Sequence, residues 1–280
     1  MYGIIGYGTV GKALATCLTR NSHDWWAYDS NPEVNIHNKN GFLGVSIEET
    51  PVVYVCVPTP VGDVGYNLTA IKQSFDWLLE NRFKGTIILC STIGLGDYAH
   101  LVKRLELMAG EAKPLNLVVK PEFCREKRAV EDMYYAPYSI FGHHETKKLR
   151  PEVMNALMAP HAKTTTVEFY PPDVCALIKT GRNLALAMKL MTASVIYAEG
   201  KAHRIGQYTL NDAIDFIFNE DDRLATKDNY HAVGQHPYSP GFGGECLPKD
   251  MAAKSSSLKL PQPIRDLLAS VLRVNELFRS

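Results

Sequence analysis

Tyr2-Gly3-Ile4-Ile5-Gly6-Tyr7-Gly8-Thr9-Val10-Gly11 stands at the head of the chain, and Lys12 to Arg20 follows it with helical spacing. The order is apolar strand, G-x-G-x-x-G, helix. The first glycine makes a tight turn, the second lets a pyrophosphate approach the backbone, and the third lets helix pack on strand. Phosphates then lie on the free amides of the helix N-terminus. Gly6, Tyr7, Gly8, Thr9, Val10 and Gly11 are therefore candidate cofactor-binding residues. The next apolar run, Trp25 to Tyr28, ends in Asp29. A carboxylate about twenty residues past the glycines accepts hydrogen bonds from the adenine ribose and repels a 2′-phosphate, so the expected cofactor is NAD.

Working outward, strand-like runs alternate with helical stretches. Pro51 to Val57 precedes a helix near Leu68–Asn81, Thr86 to Cys90 precedes one near Asp97–Met108, and Leu115 to Val119 follows. This alternation predicts an α/β fold with a Rossmann-type, doubly wound parallel sheet. Ligands then gather at the carboxyl ends of the strands. Those ends carry Val57-Pro58-Thr59-Pro60, Cys90-Ser91-Thr92 and Val119-Lys120-Pro121-Glu122. Pro171-Pro172 starts a long helix running to about His203, with Gly206 as its stop. Roughly thirty residues make it about 45–50 Å long, enough for a spine or a dimer seam. Lys179 and Asn183, four apart, share one face of it. Helical patterns from Leu210 and over Pro263–Phe278 complete a small all-α domain. The expected division is 1–168 for the dinucleotide-binding domain and 169–280 for the helical one.

The 280 residues are 46% hydrophobic and 21% charged, a globular composition with core enough for one large domain or two ordinary ones. Thirty basic side chains balance thirty acidic ones, so nucleic acid and anionic membrane surfaces are not expected partners. The six cysteines (Cys17, Cys56, Cys90, Cys124, Cys175, Cys246) form no C-x-x-C pair and have no histidine at metal spacing. That usage fits a reducing, cytoplasmic compartment and no bound metal. The most apolar helical stretch, Asn183 to Ala198, is broken by Lys189 and too short for a membrane span. The N-terminal residues run straight into a strand and lack the basic start and cleavage site expected of a signal peptide. Asn67 reads as a helix cap, and His143-His144-Glu145 as a solvated loop.

One further segment carries chemistry: Gly241-Phe242-Gly243-Gly244-Glu245-Cys246-Leu247-Pro248-Lys249-Asp250. Pro248 suits the first position of a helix, which places Cys246 just ahead of the N-terminus. The helix dipole and Lys249 favour an anionic sulfur there, so Cys246 reads as a covalent nucleophile. The same residues also read as a glycine-rich turn with a structural thiol.

Five motifs occur in sequence: GYGTVG, CVPTP, the Ser91-Thr92 strand end, PEFCRE and GFGGECLPKD. Together they make the chain resemble the UDP-glucose/GDP-mannose dehydrogenase family, nearest its UDP-glucose 6-dehydrogenase branch. The resemblance implies a Rossmann domain followed by a helical domain of the 6-phosphogluconate dehydrogenase kind. It also implies NAD-dependent, four-electron oxidation of a nucleotide-sugar primary alcohol to a carboxylate by a homodimer joined through the long helix. On that basis Cys246 would hold the aldehyde as a thiohemiacetal and then as a thioester. Thr59, Thr92, Glu126 and Lys249 would touch NAD beside the glycine turn and Asp29. Glu122 would work with water, Lys179 would stabilise the oxyanion, and Asn183 would orient the sugar. Asp250, with Thr92, would position the water and Lys179. The substrate would meet Glu122-Phe123-Cys124-Arg125-Glu126, Lys179, Asn183, Ser239 and Gly243. Asp222-Arg223-Leu224 resembles an element whose arginine, here Arg223, reaches the neighbouring subunit's site.

The chain departs from the family pattern at three points. Full-length members continue into a second Rossmann-like domain that holds the uridine diphosphate, and this chain stops before it. Ser194-Val195 stands where the long helix usually carries Asn-Glu, and Glu245 adjoins the nucleophile. Two other readings therefore stand beside the first. One is an NAD-binding or dimerising protein without catalysis that takes the missing domain from a partner. The other is a two-electron hydroxyacid dehydrogenase of related architecture, which needs no cysteine.

Overall fold

A computed structural model describes residues 1–31, 46–109, 116–143, 149–219 and 240–279. The chain divides into two units, Met1–Pro60 with Asn67–Lys179, and Val61–Tyr66 with Thr180–Ser280.

The first unit is built on a seven-stranded sheet in the order β2-β1-β3-β4-β5-β6-β7. The predicted strands are present as β1 (Tyr2–Ile5), β2 (Trp25–Tyr28), β3 (Val52–Val55), β4 (Thr86–Leu89) and β5 (Asn116–Val119). All pair in parallel, with Ile5 opposite both Tyr28 and Val55, and Val55 opposite Leu89. Side chains alternate across a strand, so each strand feeds two cores. Ile4, Tyr54, Ile88 and Val118 point to one face, and Ile5, Val55, Leu89 and Val119 to the other. Strands buried on both faces read as unbroken apolar runs, which is why these five were legible.

Helices cover both faces. On the first lie α1 (Thr9–Arg20), α4 (Ala129–Tyr134) and α5 (Pro151–Met158), through Leu14, Leu18, Met133 and Leu157. On the second lie α2 (Thr69–Glu80) and α3 (Asp97–Ala109), through Phe75, Leu78, Leu101 and Leu105. Asn67 Oδ1 accepts the Thr69 amide at 2.9 Å, but the N-cap of α2 is Leu68, without a side-chain cap bond, so the expected cap stands one residue ahead of the helix's cap position. Two strands lie beyond the predicted set. β6 (Tyr138–Gly142) runs antiparallel to β5, and β7 (Thr166–Tyr170) runs parallel to β6. Their runs, YSIFG and TVEFY, carry a serine, a glutamate and a terminal glycine among the apolar residues, and so lack the continuous apolar signature.

The long helix α6 (Pro172–Ala202) extends over 31 residues, close to its predicted limits. By contacts, the division between units falls inside it, where Cys175 and Ala176 in its opening turns belong to the core of the sheet. In the second unit the rest of α6 packs with α7 (Gln207–Asn219), α8 (Cys246–Ser255) and α9 (Gln262–Arg279). Ala187, Met191, Phe242, Leu247, Met251 and Leu268 make one cluster, and Ala193, Leu210, Ile214 and Phe218 another. The short segment Val61–Tyr66 closes on itself as an antiparallel bridge and is fixed to α8 by Gly65 N–H donating to Ser256 Oγ at 3.0 Å. Among the described residues no helix is long and apolar enough to cross a membrane.

Candidate active site

In the first unit the glycine turn has the shape a dinucleotide needs. Gly6 has φ +90°, and a Cβ on Gly11 would lie 2.0 Å from the Gly6 carbonyl oxygen. A Cβ on Gly8 would meet nothing within 4 Å, so the backbone there faces open space. Gly8 is the N-cap of α1, with no side-chain cap and no acidic residue in the first turn. The first amides of α1, with Thr9 and Val10 leading, are thus left to an anion. Asp29 ties the end of β2 to this turn, its Oδ2 accepting the Tyr7 amide at 2.7 Å and its Oδ1 the Asn31 amide at 2.9 Å. An open cradle, an uncapped helix and a carboxylate at the strand end fit the adenosine and pyrophosphate of NAD.

The neighbouring strand ends are tied to one another. Thr59 is buried, Thr92 is half-buried, and Ser91 Oγ donates to the Val57 carbonyl at 2.7 Å. At the end of β5, Lys120 is fully buried and forms an ion pair with buried Glu122. Burial pulls the Lys120 ammonium down most, but the Glu122 carboxylate, together with the Cys90 and Cys124 sulfurs, holds it above its ordinary value. The second oxygen of Glu122 receives the Cys124 thiol at 3.7 Å. Burial, with Glu122, pushes that thiol well up, so Cys124 is a neutral donor. Arg125 turns onto Asp132, its amide and Nε donating to Oδ2 at 2.9 Å and its Nη2 to Oδ1 at 2.8 Å. Glu126 is exposed at the start of a 3-10 turn, Glu126–Arg128. Lys179 is buried, with its ammonium 5.4 Å from the centre of the Phe123 ring.

In the second unit, Asn183 Nδ2 donates to Asp250 Oδ2 at 2.5 Å, and both groups are buried. Lys249 Nζ lies 2.7 Å from Asp250 Oδ1 and 4.8 Å from the centre of the Tyr66 ring. Cys246 and Asp250 are four apart on α8 and share a face. One expectation is corrected here: α8 begins at Cys246, with Glu245 as its N-cap in the αR region, so Cys246 is the first helical residue and Pro248 sits inside the first turn. A proline is tolerated at that depth because the amide it lacks would have no intrahelical partner. Cys246 is the exposed member of the six cysteines. Burial pushes Cys17 up to about 11 and Cys175 up to about 12, as expected of inert core thiols. Ahead of the thiol, Gly241 N–H donates to Ser194 Oγ at 2.5 Å, and Phe242 N–H to Asn275 Oδ1 at 2.6 Å. Gly243 lies against the Arg279 guanidinium.

Each unit thus assembles part of the predicted set. Sequence reasoning missed Lys120, Tyr66 and Asn275. The one available signal was a lysine closing an apolar strand two residues before a glutamate. Arg223 and Ser239, with Asp222, Leu224, His144 and Glu145, lie outside the described residues.

A parallel sheet whose first turn is a glycine cradle and whose second strand ends in an aspartate defines a dinucleotide-binding domain of the kind that takes NAD. Residues 39–162 match the UDP-glucose/GDP-mannose dehydrogenase family, NAD binding domain. The chain resembles that family over this stretch. It is 26% identical to the GDP-mannose 6-dehydrogenase of Pseudomonas aeruginosa over 97% of this chain and 67% of that protein. It is also 26% identical to the UDP-glucose 6-dehydrogenase of Rickettsia bellii over 84% of this chain and 51% of the relative. In fold it is similar to a UDP-glucose dehydrogenase from Pyrobaculum islandicum, with TM-score 0.78, 21% identity, and cover of 99% of this chain and 68% of that one. A 3-hydroxyisobutyrate dehydrogenase from Mycobacterium tuberculosis shares the fold at TM-score 0.66 and 15% identity, covering 97% of this chain and 92% of its own.

Proposed function

We propose that the chain is an NAD-dependent nucleotide-sugar 6-dehydrogenase. It would oxidise a sugar primary alcohol, with UDP-glucose the first substrate to test, to the uronic acid through a thioester on Cys246. The observation that carries the reading is an exposed thiol at the first position of α8, while the other five thiols are buried or half-buried. On the next turn of the same face stands the buried Asp250, tied to Asn183 and Lys249.

Bound NAD supplies a hydride acceptor for each of two oxidations. The residues handle everything else. Lys179, buried beside an aromatic ring and cationic, gives a hydrogen bond to the alkoxide and later oxyanion on the sugar. Cys246 adds as thiolate to the aldehyde carbon, forming a C–S bond and keeping the aldehyde from escaping. The thiohemiacetal so formed loses a second hydride and its hydroxyl proton, leaving a thioester. Water oriented by Glu122 adds to the thioester carbon, and the C–S bond breaks to release carboxylate and thiolate. The balance is one alcohol, one water and two NAD giving one carboxylate, two NADH and three protons. Asn183 and Asp250 hold the sugar and the water, and Thr59, Thr92 and Glu126 line the cofactor. A homodimer through α6 accompanies this reading.

The test is NADH formation with UDP-glucose and GDP-mannose, for the wild type and Cys246→Ser. The reading expects two NADH per sugar in the wild type and no sustained turnover in the variant. A Cys246→Ser protein with wild-type turnover would overturn the thioester route. A wild type that binds NAD but oxidises no nucleotide sugar would overturn the activity.

A further inference from the structure

The cysteine loop is held by side chains outside the motif. Asn275, buried on α9, makes both of its amide hydrogen bonds to one residue: Oδ1 accepts the Phe242 N–H at 2.6 Å, and Nδ2 donates to the Phe242 carbonyl at 3.0 Å. This is how a neighbouring β-strand would read that residue, delivered here by a side chain on a helix. One residue earlier, Ser194 Oγ on α6 accepts the Gly241 N–H at 2.5 Å and donates to the Leu190 carbonyl at 2.7 Å. Two consecutive backbone amides are thus captured from two helices, four and five residues ahead of Cys246.

The fit leaves no slack. Gly241 has φ +93°, and a Cβ there would lie 2.6 Å from Asn275 Oδ1. Phe242, which owns the second captured amide, is fully buried in the cluster formed with Met191, Leu247, Met251 and Leu268. The Phe242 ring cannot shift without opening that cluster, and its backbone cannot turn without breaking both bonds to Asn275. Ser194 stands where the family resemblance expects asparagine, and its hydroxyl carries the same acceptor. The chain-specific residue is therefore built into the loop.

We infer that Asn275, assisted by Ser194, is a positioning residue that sets the direction in which Cys246 is presented to the substrate. The inference rests on Cys246 being the nucleophile of the proposed reaction. A displacement of about 1 Å at a reacting atom can cost on the order of 100-fold in rate, so a clamp of this kind is felt in kcat. It has little to do with how NAD or the nucleotide is held, so it leaves the KM values nearly alone.

The test compares Asn275→Ala, Asn275→Asp, Ser194→Ala and Ser194→Thr in the full chain. Three quantities are read: the rate of Cys246 alkylation by iodoacetamide, followed by peptide mass, the split between kcat and KM with UDP-glucose and NAD, and the thermal midpoint. Asn275→Asp keeps the acceptor for the Phe242 amide but turns a second acceptor on the Phe242 carbonyl. Asn275→Ala, Asn275→Asp and Ser194→Ala are expected to lower kcat at least about tenfold, with KM for NAD within about twofold, and to change the alkylation rate in step. Ser194→Thr keeps the hydroxyl and should restore both rates. Variants that melt earlier yet keep wild-type kcat and alkylation rates below their midpoints would show a structural role only and overturn the inference. If the wild type itself makes no NADH, the functional reading fails. The alkylation rates then decide the clamp by themselves, an unchanged rate in all three disruptive variants counting against it.

Discussion

Asn183 on α6 and Asp250 on α8 meet through a single hydrogen bond of 2.5 Å between buried groups. The bond joins a residue of the long helix to the turn that follows Cys246, so it fixes the face of α8 that carries the thiol.

Replacing Asn183 by Asp sets two carboxylates against each other at that distance. Two like charges in one buried place cannot both stay ionised, and one proton is then shared. The variant is expected to lose about 3–5 kcal/mol of stability at pH 8, as for other disrupted buried pairs, and to regain part of it as the pH falls to 5. The sign follows from the raised proton affinity of the pair: its stability is present at low pH and lost as pH rises. Urea unfolding at both pH values checks this, and an Asn183→Asp protein as stable as the wild type at pH 8 would contradict it.

Lys120 and Glu122 form a buried ion pair at the end of β5. Lys120→Met leaves Glu122 buried with its cation gone, which should cost about 3–5 kcal/mol. Adding Glu122→Gln removes the stranded charge and should return most of that loss. A double-mutant cycle by urea denaturation measures the coupling. If the double variant is no more stable than Lys120→Met alone, the pair is not what holds the end of β5.

The cofactor half of the site was legible because each part of it obeys a local rule. A glycine turn, an uncapped helix and an acidic strand end all depend on neighbours in sequence, and Gly6 to Asp29 fall where such rules place them. The thiol was legible as a motif, but its helix register was not: Pro248 suggested a later start, whereas α8 begins at Cys246, with Leu247 and Met251 turned into the buried cluster. The partners that fix the site were invisible for a different reason. Asn275 is one polar residue in an amphipathic helix, 33 residues beyond the amide it accepts. Nothing in local spacing distinguishes it from a solvated asparagine. Likewise Arg125 reads as a substrate contact until Asp132, on the following helix, claims its guanidinium.

His161 gives the fold an acid limit. Its Nδ1 lies 2.7 Å from the Met133 carbonyl, while its Nε2 is buried without a partner. Burial, with the nearby Lys120 charge, lowers it from 6.5 to about 4. The imidazole stays neutral in the folded chain at pH values where the unfolded chain binds a proton. Its contribution is therefore complete above about pH 6.5 and lost as pH falls toward 4, amounting to about 3 kcal/mol at most. The unfolding free energy of wild type should drop over that window and that of His161→Gln should drop less. Identical slopes would remove His161 from the account.

Gly8 and Gly11 separate folding from cofactor binding within one turn. A methyl on Gly11 would lie 2.0 Å from the Gly6 carbonyl oxygen, so Gly11→Ala must push α1 off β1. It should lower the thermal midpoint and weaken NAD together, with a stability loss of about 1–3 kcal/mol from overpacking. A methyl on Gly8 would meet no protein atom within 4 Å, so Gly8→Ala should melt like the wild type. The space it fills is where the pyrophosphate approaches the backbone, and NAD affinity should still fall by at least about tenfold, or 1.4 kcal/mol. Thermal melts and titration of NAD on the two variants give four numbers. A Gly8→Ala chain that binds NAD as tightly as the wild type would mean that the phosphates lie elsewhere than over the start of α1.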